Sequence, residues 1–227
     1  FQLNKNKMFP ELGRQCGEFM AKTEFCTSEY YLSREQYRGL QKHFENIELR
    51  KIMEDQMFLD CFGCDIDYSL GKNFADFADQ FSKDSRYRTE LYKLRRKFMS
   101  HADGLIHADL HTSNIMASRD KMKVIDMEFA FMGPFGYDLG YLVGNLISQY
   151  CAACFKRFPS EQNRKQFKAY LLATIKSLIE TYMKTFTLCW ERSVKERYRG
   201  QQGLLQSILQ EVMVDMPGYA SMVNWFR

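Results

Sequence analysis

The segment "LIHADLHTSNIM" (Leu105–Met116) sets two His, one Asp and one Asn between apolar residues. "LIH" and "NIMA" read as short strands separated by a polar turn, and "SRDKMK" (118–123) joins the second to "KVID" as a hairpin. Polar groups cluster at the strand ends. Asp109 follows "LIHA", Asn114 lies five residues later, and Asp126 closes "KVID". The hairpin is expected to gather these three side chains into one polar pocket.

Those residue types suit one chemistry. Phosphoryl transfer needs a carboxylate that takes or orients the proton of an acceptor hydroxyl, plus oxygen ligands that hold Mg²⁺ against the phosphates of ATP. Magnesium usually takes one or two carboxylates and completes its shell with phosphate and water. Asp109 fits the first role, and Asn114 and Asp126 the second. The D-x-x-x-x-N spacing followed by V-I-D is that of a kinase catalytic loop and its downstream metal-binding acid. His107 and His111, in H-x-D-x-H, share no helical face. A bracing role is therefore expected for both, with His107 bonding backbone near the loop and His111 orienting the loop or the acid, in preference to zinc ligation.

Helical periodicity dominates on either side. Residues 11–25 carry Leu12, Cys16, Phe19, Met20 and Ala21 near helical spacing, and Ser33 caps a second helix through "REQYRGLQKHF". Residues 46–60 suggest a third helix and 68–84 a loop. Residues 84–101 read as a long amphipathic helix with Leu91, Leu94, Phe98 and Met99 on one side. The helical period returns over 138–155, 160–186 and 203–214. The expected fold is mainly α with a small β insert (α+β), in a single domain over 1–227.

Composition narrows the function classes. The net charge of +4 is mild, and its densest cluster, "KLRRK" (93–97), reads as a solvated helix face, not a nucleic-acid patch. No apolar run reaches the roughly 18 residues that span a bilayer, and the first residues lack the pattern of a signal peptide. Seven Cys scattered in apolar segments favour reduced thiols and a cytoplasmic setting. Two C-x-x-C pairs, Cys61/Cys64 and Cys151/Cys154, are weak evidence for zinc because the second lies in an apolar helical pattern.

The catalytic segment, together with "DMEFAFMGPFGYDLG" (126–140) and "GNLI" (144–147), resembles the aminoglycoside phosphotransferase and choline kinase group, which has a protein-kinase-like fold. Within that group it is most similar to the methylthioribose kinases. "FPELGRQCGEFMAKTEFCTSEYYL" (9–32), "FENIELRKIMEDQMFLD" (44–60), "TLCWE" (187–191) and "PGYA" (217–220) follow in the same order, so the similarity covers almost the whole chain.

The resemblance implies Asp109 as catalytic base facing the acceptor hydroxyl, and Asn114, Asp126 and Glu128 as Mg²⁺ and ATP ligands. Asp138 would be a buried acid holding the loop backbone. Arg227 would contact the substrate, and Trp190 is either a wall of the sugar site or a packed core residue. ATP and a small sugar are the implied partners, with neither nucleic acid nor membrane, and the family implies a homodimer for a full-length enzyme.

Two departures stand out. Ala108 replaces the Gly of the usual H-G-D, a change tolerated if that residue keeps φ negative. "GYASMVNWFR" offers only Arg227 where the family ends in paired Arg. No Gly-rich loop or phosphate-gripping strand Lys is found, so the chain reads as a C-terminal lobe without the N-terminal β lobe, expected to be inactive alone. Methylthioribose, an aminoglycoside, choline or homoserine as acceptor, and an inert binding remnant, all remain open here.

Overall fold

The structure, a computed structural model, describes residues 3–59, 76, 80 and 83–226. Its main helices are α1 (Leu12–Cys26), α2 (Arg34–His43), α3 (Ile47–Gln56), α4 (Ser85–Ser100), α5 (Tyr137–Ala152), α6 (Glu161–Ser193) and α7 (Gln202–Phe226). Between α4 and α5 lie four three-residue strands: β1 (Gly104–Ile106), β2 (Ile115–Ala117), β3 (Met122–Val124) and β4 (Phe131–Gly133). The fold is therefore an α+β arrangement in which the described residues are mainly helical apart from this insert.

The strands form two antiparallel pairs. The predicted hairpin is present, with Ile115 opposite Val124 and Ala117 opposite Met122. "LIH" is also extended, but its partner is β4, with Leu105 opposite Met132. Sequence periodicity did not assign β4 because all three of its residues are buried, so it shows no alternation. The end of α1 fixes β1 in place: Thr27 Oγ1 accepts the Leu105 N–H at 2.7 Å.

Helix starts follow their caps. Ser33 and Gln36 form a reciprocal capping box at α2, and Asp84 Oδ1 accepts the N–H groups of Arg86 and Tyr87 at the head of α4. Helix ends were less legible. α6 runs on to Ser193 and α7 to Phe226, past Pro217. In α7 the burial of Met216, Tyr219, Ala220, Met222 and Val223 outweighs the local cost of the proline.

Two apolar clusters hold the helices together. One packs α1, α5, α6 and α7 through residues such as Phe25, Leu142, Phe186 and Val212. The other joins α3, α4, β1, β4 and the ends of α5 and α7 through Met53, Phe98, Phe131, Tyr137 and Tyr219. Backbones approach closely at glycine. A Cβ on Gly13 would lie 2.4 Å from Thr174 O of α6, and one on Gly144 would lie 2.4 Å from Ala220 O of α7.

On α4 the expected apolar side is present at Leu91 and Phe98, but Met99 is exposed. The basic run of α4 is not purely solvated either, since Lys97 Nζ lies 2.6 Å from Asp215 Oδ2 on α7. Trp190 is buried beside Tyr30 and Tyr198, which makes it a core residue. The predicted 68–84 loop and the Cys61/Cys64 pair lie almost wholly outside the described residues. Among the described residues no helix is long and apolar enough to cross a membrane.

Candidate active site

Helix α5 organises the site. Its first half is buried throughout, yet it carries Asp138, Tyr141 and Asn145. At offsets of three and seven residues these share one helical face, and each bonds a different point of the loop after β1. Asp138 accepts the main-chain N–H groups of His107 at 2.6 Å and Ala108 at 3.0 Å. Tyr141 O–H donates to Asp109 Oδ1 at 2.8 Å. Asn145 Oδ1 accepts from Thr112 Oγ1 at 3.2 Å and from its N–H at 3.4 Å.

Burial pushes the Asp138 carboxyl above its ordinary pKa, opposed by the His107 ring and the two N–H donors. Tyr141 and Asn145 were missed by sequence reading. Their signal was available as polar side chains at helical spacing in an otherwise apolar helix.

Both ring nitrogens of His107 meet backbone, whereas His111 meets backbone with one and the Asp109 carboxylate with the other. His107 Nδ1 accepts the Asp109 N–H at 3.3 Å, which assigns its proton to Nε2, 2.9 Å from Ile125 O. His111 caps the Thr112–Asn114 turn, its Nδ1 accepting the Ser113 N–H at 3.1 Å. Its proton is thereby assigned to Nε2, which lies 3.3 Å from Asp109 Oδ2. Both rings thus connect the loop to its surroundings.

Asn114 is nearly buried, and its Nδ2 donates to Asp109 O at 3.0 Å and faces Asp109 Oδ2 at 3.4 Å. Commitment of the amide nitrogen leaves Oδ1 as the atom able to meet a cation. The Ile125 N–H donates to Asn114 O at 3.0 Å, so backbone bonds through Ile125 tie the residue before Asp126 to both Asn114 and His107. Asp126 and Glu128 present exposed carboxylates. Asn46, at the head of α3, steadies this segment by donating to Glu128 O at 2.6 Å and Ala130 O at 3.2 Å.

Asp126 and Ala108 both adopt left-handed backbone, with φ of 65° and 67°. The condition for tolerating Ala108, a negative φ, is therefore not met. The reason is local: Asp138 holds the N–H of residue 108 on one side while the fully buried methyl packs on the other. A non-glycine residue in this region costs roughly 1–2 kcal/mol, a strain the surrounding bonds sustain.

Asn114, Asp126 and Glu128 carry the hard oxygen donors that magnesium takes. No group of three or more His, Cys, Asp or Glu is placed to hold a metal among the described residues. Magnesium asks for fewer protein ligands than such a group, because it completes its shell from phosphate and water. A neighbouring cavity of about 300 Å³ opens beside the Thr112–Asn114 turn, walled by Leu3, Phe9, Leu12, Ile115 and Met116. Arg227, the predicted substrate contact, lies outside the described residues.

The profile of the phosphotransferase enzyme family (APH) matches residues 64–178. Methylthioribose kinase of Geobacillus thermodenitrificans is 36% identical over 222 residues, which is 96% of this chain and 52% of that protein. The methylthioribose kinase of Geobacillus kaustophilus shows the same identity and coverage. The chain spans about half the length of the curated relatives it matches. A solved glucosamine kinase, in complex with glucosamine, ADP and inorganic phosphate, superposes on 93% of this chain and 52% of its own, with TM-score 0.49 and 13% identity.

Proposed function

The chain belongs to the phosphotransferase enzyme family, and from that premise we propose that it supplies the acceptor and metal half of an ATP-dependent kinase acting on a small sugar. The C1 hydroxyl of methylthioribose is the acceptor of choice, in keeping with the relatives that the chain matches. One observation carries the reading. Asp109 is clamped by Tyr141 on one oxygen and faces His111 and Asn114 on the other, so its carboxylate is set before a substrate arrives.

In this reading Asp109 accepts or orients the proton of the attacking hydroxyl. Asn114, Asp126 and Glu128 hold Mg²⁺, which when bound neutralises charge building on the transferred phosphoryl group. The apolar cavity beside the turn seats the nucleotide base, and Arg227 contacts the sugar. A second half, of the size by which the relatives exceed this chain, grips the phosphates and completes a homodimeric enzyme. Reduced cysteines support a cytoplasmic setting.

The test uses the full natural protein that contains this chain. ADP release is followed with methylthioribose, choline, homoserine and an aminoglycoside in parallel, with Asp109→Asn as the variant. Turnover on methylthioribose that falls by at least about a thousandfold in the variant supports the reading. Full activity in Asp109→Asn sinks the catalytic assignment, and preference for another acceptor sinks the sugar assignment. Mg-ATP binding to the 227-residue chain alone should be very weak.

A further inference from the structure

We propose that Tyr141 is a positioning residue for phosphoryl transfer, acting through the Asp109 carboxylate; this rests on the reading of Asp109 as the base. The Asp109 carboxylate has contacts on both oxygens that limit how it can turn. Its Oδ2 is shared by the His111 ring at 3.3 Å and the Asn114 amide at 3.4 Å, both long contacts. The short contact is on the other oxygen, where the phenol donates at 2.8 Å. A carboxylate pivots easily about its last bond, so the shortest of these three contacts, the phenol, sets its plane.

Tyr141 can do this because it cannot itself move. Its side chain is buried, and its ring packs 5.9 Å from that of Tyr137, which in turn packs edge-on against Tyr219 at 5.1 Å. The same helix grips the loop backbone one turn earlier through Asp138 and about one turn later through Asn145. The phenol is thus fixed relative to the loop that carries its acceptor. Tyr141 therefore orients the base through a single oxygen.

The experiment compares Tyr141→Phe with Asp109→Asn in the full natural protein. Phe keeps the ring and removes the donor. The expected result is a kcat lower by roughly ten- to a hundredfold, with the KM for ATP unchanged and the thermal midpoint close to that of the parent. In the Asp109→Asn background the same substitution should lower residual turnover no further, because the two residues act as one unit.

An unchanged kcat in Tyr141→Phe, with Asp109→Asn inactive, overturns the positioning role and leaves the function intact. A Phe variant that unfolds while Asp109→Asn stays folded also overturns it, since the role would then be packing. Full turnover in Asp109→Asn removes the function first and this inference with it.

Discussion

Asp138 Oδ2 accepts the main-chain N–H of His107 at 2.6 Å, across 31 positions of sequence. Its other oxygen takes the next N–H, that of Ala108. One side chain therefore holds two consecutive peptide groups of the loop in a strained turn. Asp138→Asn replaces one acceptor oxygen with a donor that faces a donor. The folded state should lose about 3 kcal/mol, read as a lower urea midpoint at unchanged slope. An unchanged midpoint would show that the loop holds its own shape.

Close helix contact at glycine gives a paired prediction. Gly144→Ala puts a methyl carbon 2.4 Å from Ala220 O, a backbone atom of α7 that cannot swing aside. Stability should fall by about 2 kcal/mol through overpacking. Gly39, inside α2, has nothing near its missing side chain. Gly39→Ala should raise stability by about 0.5–1 kcal/mol through helix propensity. Thermal midpoints moving in opposite directions would bear this out; the same direction for both would refute it.

Glu24 makes stability depend on pH. It is fully buried; Tyr182 O–H and the Gly136 N–H donate to its Oε2, and its Oε1 has no partner. Burial, with the nearby Asp138 charge, pushes its pKa well above the ordinary carboxylate range. The folded state thus binds a proton that the unfolded chain releases. The contribution is complete below the unfolded pKa of about 4.3 and declines as pH rises toward the elevated folded value. Glu24→Gln has no such proton to lose. Urea midpoints at acid and mildly alkaline pH should fall less steeply in the variant than in the parent, and equal slopes would show that Glu24 is not the source.

The alternation and spacing around "LIHADLHTSNIM" placed the hairpin, and periodicity on either side placed the long flanking helices. They are local properties, set by periodicity, caps and turn residues within a few positions of each other. What escaped sequence reading depends on distant neighbours. β4 is recognisable only beside β1, α7 passes Pro217 only because its far half is buried, and Met99 is exposed while its neighbour Phe98 takes the buried side of α4.

At the site the division is the same. The sequence by itself determined which groups are present: Asp109, Asn114 and Asp126 at the spacing of a phosphoryl-transfer loop, and an alanine at residue 108. Only the tertiary structure decided how they are held. The positive φ of Ala108, the tautomers of the two histidines and the Tyr141 clamp on Asp109 all follow from packing α5 against the loop. Backbone conformation and side-chain pairing are set where separate segments meet, and adjacent residues carry no record of that meeting.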